Sequence, residues 1–393
     1  MDLKFMKLTD PPESTLGTAL LGYMAFMVLL ITLFPFDFRI PARIEIKILT
    51  NFADFVGNIV LFIPIGFLFK LSRGPGKDVW GRNALFFGIL LSISIEFTQL
   101  FVPGRYSQVI DVITNGLGAW LGAILFGLLK TQLGGERAGK LLSLELPLMN
   151  LVYLLIPLMW INGLAIGEEA ARLGLLLLLG LFGTGVLCSI SIYRYRNTGA
   201  FSFAKLSFFA MGWFIVATLP VLPKFPVPIA VFTIGIGILA RLIAKIFKTG
   251  KMNERRLELA TLKRILPIFV LYLLLLVIWP TTSPIGAWLF KTDFQALMFN
   301  KRLVLTFRFI EFIAAFTLLG YMMAEMRGRK NESAQKTLGW IFFTALICSI
   351  IIAAIRGYPP LIRSSILEIV FITAAALYGG IIYRLQLAAI QRL

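Results

Sequence analysis

The sequence of 393 residues contains no histidine, only two cysteines, and few acidic residues, with 20 Asp and Glu against 38 Lys and Arg. Histidine is the commonest general base and the commonest transition-metal ligand, so any chemistry must use carboxylates, amides, arginine or hydroxyl groups. Cys188 and Cys348 both lie inside apolar segments. We expect them to be small packing residues, so the sequence predicts no disulfide framework, no transition-metal site and no cofactor.

Hydrophobic residues, in contrast, are abundant, since they make up 58% of the chain and give it a mean hydropathy of +0.86. A soluble domain could not bury so much apolar surface. Runs of roughly 20 apolar residues match the length that crosses about 30 Å of hydrocarbon. The sequence predicts an all-α polytopic membrane protein with about twelve spans, near residues 17–34, 52–69, 83–102, 108–129, 147–166, 173–193, 203–220, 226–247, 264–280, 303–324, 337–355 and 364–385.

The net charge of +18 is distributed in a way that excludes nucleic acid as the expected partner. The basic residues fall between the apolar runs and form no soluble patch with aromatic residues between them. More of them lie on the side of the N-terminus, most clearly in the segment from Arg241 to Arg264. The positive-inside rule then predicts that both termini are cytoplasmic.

Polar side chains interrupt the second, third and fourth predicted spans at one level of the membrane. An ionisable group within a membrane helix costs about 2.5–3.5 kcal/mol on insertion scales, so each one needs a partner or a function. Within each span the polar residues are three or four positions apart and share a helix face. These faces meet near the outer surface and carry Asp54 and Asn58, Glu96 and Gln99, and Asp111 and Asn115.

Arg105 lies in the turn between the third and fourth spans. Its guanidinium could pair with Glu96 or Asp111, or bind a phosphate, and its presence argues against a metal ion there. The predicted substrate-binding residues are therefore Asn58, Glu96, Gln99, Arg105, Asp111 and Asn115.

Small residues continue the polar face of the fourth span. Gly118 and Gly122 form a small-xxx-small pattern, which lets another helix backbone approach closely. In the second span, Pro64 and Gly66 are expected to loosen the helical hydrogen bonds and bend the helix. The pattern predicts tight helix packing beneath the polar cluster.

The chain also contains a repeat. Residues 111–125 align with residues 368–382, and residues 55–67 resemble residues 309–321. The acid at Asp111 aligns with Glu368, whereas Asn115 aligns with Ile372. We predict three parts: a four-helix domain over 1–130, a middle bundle of unknown role over 147–264, and a four-helix bundle over 265–393 that is a degenerate second copy.

The motif NIVLFIPIGF, the stretch IEFTQLFVPGR, and the four residues Asp111, Asn115, Gly118 and Gly122 resemble the VanZ-like family in order, spacing and helix context. The resemblance covers residues 17–130. The family takes its name from a membrane protein linked to resistance to the glycopeptide teicoplanin. The resemblance implies a bacterial cytoplasmic-membrane protein with a polar cluster near the outer face and a connection with cell-envelope or lipid-linked glycan biology.

Several functions fit these residues. The favoured hypothesis is a non-enzymatic protein that binds an envelope lipid or a lipid-linked glycan, with envelope-assembly proteins as further partners. A membrane enzyme could use Glu96 and Asp111 as general acid and base, although no nucleophile elbow or phosphate loop supports it. A transporter built from two related bundles also fits, as does a purely structural polar network. Glu311, a single acid in the tenth span, is predicted to pair with Arg308 one turn away.

Overall fold

The structure is a computed structural model. It describes the backbone of residues 12–33, 38–40, 46–47, 52–73, 80–103, 107–132, 136–166, 172–198, 202–249, 257–278, 290–291, 303–328, 333–357 and 364–390. Side chains are described for most of these residues.

Twelve α-helices account for nearly all of the described residues, and each overlaps a predicted span. They are α1 (Pro12–Leu33), α2 (Phe52–Arg73), α3 (Arg82–Gln99), α4 (Val109–Gln132), α5 (Glu136–Ile166), α6 (Leu173–Thr198), α7 (Phe203–Ala217), α8 (Pro226–Thr249), α9 (Leu257–Ile278), α10 (Leu303–Gly328), α11 (Ala334–Gly357) and α12 (Ile366–Ile390).

The helices have the length and the surface of membrane spans. Within the described ranges, nine of them are long and apolar enough to cross a membrane, and α3, α5 and α7 are the exceptions. On α8, an exposed stripe of Val227, Val231, Ile234 and Ile238 recurs at helical spacing, as expected for a face that contacts lipid. The predicted all-α polytopic membrane fold is confirmed.

Helix boundaries follow local sequence signals. Gly81 has a φ of 70°, a left-handed conformation that glycine adopts without a steric penalty, and it directly precedes α3. The side chain of Ser202 accepts a hydrogen bond from the backbone of Lys205 at the start of α7. Pro226 is the first residue of α8, a position where its missing N–H removes no helical hydrogen bond.

The chain divides into two compact units. Unit 1 consists of residues 1–143 with 385–393, and unit 2 consists of residues 144–384. The predicted division into three parts rests on sequence likeness and stays a prediction.

In unit 1, α2 and α4 are in direct backbone contact. A Cβ atom added to Gly66 would overlap the carbonyl group of Ala119, and one added to Gly122 would overlap the carbonyl oxygen of Ile63. Gly118 lies in the same way against Ile59. The predicted close approach at Gly118 and Gly122 is confirmed, and Gly66 belongs to the same contact.

In unit 2, α10 and α12 show the same contact pattern. A Cβ atom added to Gly320 would overlap Ala376, and one added to Gly379 would overlap the carbonyl oxygen of Thr317. In the sequence alignment, Gly320 matches Gly66 and Gly379 matches Gly122. The closest contacts in the two helix pairs therefore fall at positions that are aligned in the sequence repeat.

A short strand pairing precedes the second helix of each pair. β1 (Ile46–Lys47) is parallel to β2 (Ser107–Gln108), which directly precedes α4. β3 (Phe290–Lys291) is parallel to β4 (Ser364–Ser365), which directly precedes α12. The first pairing holds the chain at the start of α4, beside the predicted polar cluster.

Candidate functional site

The predicted polar residues lie at the ends of three helices of unit 1 that meet at one end of the bundle. Asp54 and Asn58 are in the first two turns of α2, Glu96 and Gln99 are in the last turn of α3, and Asp111 and Asn115 are in the first two turns of α4. Because α2, α3 and α4 pack on one another, these positions share one level of the bundle.

Glu96 fixes the chain segment that leads into α4. Its side chain is only 6% exposed, and its Oε2 atom accepts a hydrogen bond of 2.7 Å from the backbone N–H of Gln108 in β2. A charged acceptor makes such a bond stronger than one between neutral groups. Glu96 therefore connects the end of α3 to the start of α4.

Gln99 connects the same end of α3 to α1. Its Nε2 atom donates a hydrogen bond of 2.9 Å to the backbone carbonyl of Thr32, in the last turn of α1. Gln99 is buried. This contact gives Gln99 a structural role.

Asp111 lies among other polar groups and is half-buried. The carboxylates of Glu96 and Asp54 are close enough to repel it electrostatically, and the side chain of Asn58 interacts with it as a hydrogen-bond partner. That contact is weak, because neither the Nδ2 atom of Asn58 nor the Oδ1 atom of Asp111 has a partner at normal hydrogen-bond distance and angle in the described structure. The two groups are neighbours whose hydrogen-bonding capacity is not fully used.

Asn115 lies one turn further along α4, between that helix and α3. Its side chain is 5% exposed, and its Nδ2 atom donates a hydrogen bond of 2.8 Å to the Oγ atom of Ser92. Ser92 in turn lies 3.5 Å from the backbone oxygen of Asp111. The Oδ1 atom of Asn115 has no partner among the described residues.

Arg105 falls outside the described residues, so its predicted pairing with Glu96 or Asp111 stays a prediction. Four residues that the sequence patterns did not single out take part in the cluster: Ser92, Ser107, Gln108 and Thr32. Ser92 is one turn before Glu96 on the same face of α3, a spacing that could have identified it. Thr32 accepts from Gln99, and Gln108 donates to Glu96, through backbone groups, for which the sequence carries no signal.

Metal binding finds no support in the described part of the chain, which contains no group of three His, Cys, Asp or Glu side chains placed to hold an ion. Asp54, Glu96 and Asp111 are therefore neighbours without the geometry of a cation site. What the cluster offers is a set of hydrogen-bonding atoms next to a negative charge.

Unit 2 contains a second polar cluster, which is centred on Glu311 of α10. The Oε1 atom of Glu311 accepts hydrogen bonds from Asn162 at 2.6 Å and from Tyr272 at 2.7 Å. Its Oε2 atom forms an ion pair with Arg172. Glu311 is 0% exposed and Arg172 is 1% exposed. The structure shows Arg172, which is distant in sequence, as an ion-pair partner of Glu311, and the predicted pairing with Arg308 stays a prediction.

Comparisons with known proteins identify a relationship for the N-terminal part of the chain. Residues 8–130 match the model of the VanZ/LLP1 family. Protein VanZ of Enterococcus faecium is 27% identical over 92 residues, which are 23% of this chain. The chain spans 55% of the length of that relative. No solved structure matches this chain. The part of the chain that holds the polar cluster thus matches the VanZ/LLP1 family, and the residues after 130 lie outside that match.

Proposed function

We propose that the polar cluster of unit 1 binds the headgroup of a cell-envelope lipid or a lipid-linked glycan. The observation that carries this proposal is a set of three buried acceptor atoms without partners in the described structure, Gln108 Oε1, Asp111 Oδ1 and Asn115 Oδ1. Buried polar groups in proteins are normally paired. A cluster with this much unused capacity is best explained by a molecule that completes it.

The position of the cluster supports a ligand from the membrane. The polar residues lie at the ends of apolar helices, where lipid headgroups meet the protein surface. With both termini in the cytoplasm, this end faces the outer side of the cytoplasmic membrane, as the distribution of Lys and Arg predicts. The likeness to VanZ supports a role in envelope biogenesis or in tolerance to glycopeptides.

The test is native mass spectrometry of the gently extracted protein, in which the unmodified chain is compared with Glu96→Gln and Asp111→Asn. We expect a co-purifying lipid or polyprenyl species that is lost from both variants. Equal lipid occupancy in all three proteins, with lower thermal stability in the variants, would instead support a purely structural network. A glycopeptide susceptibility assay of cells that express each protein tests the role in tolerance.

A transporter built from two related bundles is a second candidate, and one observation favours it. The glycine contacts of α2 with α4 recur between α10 and α12, each with a strand pairing before the second helix. Such a repeat supports the proposal that residues 265–393 are a second copy of the N-terminal domain, and repeats of this kind are common in transporters. Transport predicts that cysteines placed in the loops change their accessibility from the two sides when substrate is added. Accessibility that stays fixed under all conditions contradicts it.

A further inference from the structure

The exposed face of α8 in unit 2 changes from apolar to basic near the end of the helix. Two rows of exposed side chains follow it at a spacing of seven residues, which keeps each row on nearly one side of a helix. The first row is Val227, Ile234 and Arg241, and the second row is Val231, Ile238 and Lys245. Each row therefore begins with side chains that suit lipid acyl chains and ends in a positive charge.

Arg241 lies inside the membrane-length part of α8. The apolar span runs from Pro226 to Lys245, so Arg241 is one turn, about 6 Å, before its end. An arginine at this depth on a lipid-facing side is stabilised when its guanidinium reaches the headgroup region. The described residues provide Arg241 with a hydroxyl group but with no carboxylate. A lipid phosphate at this level supplies the counter-charge.

Ser207 on α7 holds the guanidinium of Arg241 in place. The Nε atom of Arg241 donates a hydrogen bond of 2.9 Å to the Oγ atom of Ser207. Ser207 is only 3% exposed, and its hydroxyl group donates a hydrogen bond of 2.8 Å to the backbone carbonyl of Gly237 on α8. Since the guanidinium has five N–H donors in a planar fork, four remain on its two terminal nitrogens. That end of the fork matches two oxygens of one phosphate.

We propose that this end of α8 binds the phosphate of an anionic phospholipid, with the acyl chains along the two apolar rows. Arg241 holds the phosphate through its terminal nitrogens, Lys245 adds positive charge on the same face, and Ser207 is a positioning residue that orients Arg241. A phospholipid fits better than a free phosphate ion, because the basic end is continuous with exposed apolar side chains. The site belongs to unit 2 and is separate from the polar cluster of unit 1.

The experiment is native mass spectrometry of the full-length protein in detergent, titrated with phosphatidylglycerol and with phosphatidylcholine of identical acyl chains. We expect phosphatidylglycerol to bind about fivefold more tightly, because phosphatidylcholine carries no net charge. Glycerol phosphate, which has the anion without the acyl chains, should not displace the bound phosphatidylglycerol.

Variants locate the preference. Arg241→Gln should weaken phosphatidylglycerol binding about fivefold and leave phosphatidylcholine binding unchanged. Arg241→Lys keeps the charge but loses the planar fork, and we expect a loss of about two- to threefold. Ser207→Ala should cause a similar loss in the unmodified background and none when it is added to Arg241→Gln, because it then has no guanidinium to orient. Lys224→Gln is the matched control, since Lys224 is exposed in the connection at the other end of α7 and α8.

Three results would overturn the inference. Equal binding of the two lipids would show that the site does not select an anionic headgroup. A loss for Lys205→Gln, in the first turn of α7, as large as that for Arg241→Gln would show diffuse charge in place of a site at Arg241. Displacement by glycerol phosphate would assign the site to a soluble anion. Asp111→Asn, which tests the proposed lipid site of unit 1, should leave the phosphatidylglycerol preference unchanged, so the two proposals fail independently.

Discussion

Asp111 and Glu311 are two carboxylates in apolar helical surroundings, and their environments differ. Glu311 receives two neutral hydrogen bonds and one ion pair, so both of its oxygens are satisfied within unit 2. Asp111 has two other carboxylates near it and one oxygen without a partner among the described residues. A buried charge that is saturated by the protein itself has a structural role, whereas the open oxygen of Asp111 is one of the atoms on which the proposed ligand site rests.

The largest effect is expected where the ion pair of Glu311 with Arg172 is broken. Glu311→Gln leaves the buried guanidinium of Arg172 without its counter-charge, and we expect it to lower the free energy of unfolding by about 3–5 kcal/mol. Thermal unfolding of the detergent-solubilised protein measures the loss. The double variant Arg172→Leu with Glu311→Leu should recover part of it, since no charge is then left unpaired. A loss below about 1 kcal/mol for Glu311→Gln would show that the network is not structural.

The next largest effect concerns the glycine contacts that the two helix pairs share. Gly66→Ala and Gly320→Ala each place a methyl group against a backbone carbonyl, and we expect losses of about 1–3 kcal/mol in each case. Gly127→Ala on α4 and Gly339→Ala on α11 are matched controls, because a Cβ atom there meets nothing within 4 Å. If Gly66→Ala is tolerated and Gly320→Ala is not, the two pairs differ in rigidity in spite of their common pattern.

Asp111→Asn should have a much smaller effect on stability than Glu311→Gln. Removing its charge relieves repulsion from Glu96 and Asp54 and breaks no ion pair of the described structure. We expect the free energy of unfolding to change by less than about 0.5 kcal/mol, or to rise slightly. The same thermal unfolding assay, carried out without added lipid, measures it. A loss comparable to that of Glu311→Gln would show that Asp111 is structural as well.

Effects of intermediate size are expected at two serines, one on α3 and one on α11. Ser92→Ala leaves the Nδ2 atom of Asn115 without its acceptor, and we expect a loss of about 1 kcal/mol. Ser349→Ala removes a contact of 3.3 Å with the hydroxyl group of Thr373, for which we expect about 0.6 kcal/mol, the average for interhelical polar contacts in membranes. We expect the larger loss for Ser92→Ala, because it leaves the buried amide of Asn115 without an acceptor. A larger loss for Ser349→Ala would contradict this order.

Much of the fold could be predicted from the sequence because two periodic patterns indicate it. Apolar runs of membrane length located all twelve described helices, and glycines four residues apart identified the close packing of α4. Helix spacing also placed Glu96 on the same face as Gln99, and Asp111 on the same face as Asn115. These predictions depend on local geometry alone.

The parts that could not be predicted depend on contacts between distant residues. Arg172 and Tyr272 reach Glu311 from separations of 139 and 39 residues, and nothing in the sequence around Glu311 indicates them. The bond from the backbone of Gln108 to Glu96 uses a group that every residue except proline possesses. The sequence can show that a polar group needs a partner, but tertiary structure decides which partner it has.

The backbone contact between α2 and α4 also determines how the site meets a ligand. Because Gly66, Gly118 and Gly122 leave no space between the two helices, α2 and α4 cannot slide or separate without losing that packing. Asn58 on one helix and Asp111 on the other are therefore held at a fixed spacing. A headgroup at the proposed site would have to fit the two side chains as they stand, and its binding would cost little conformational entropy.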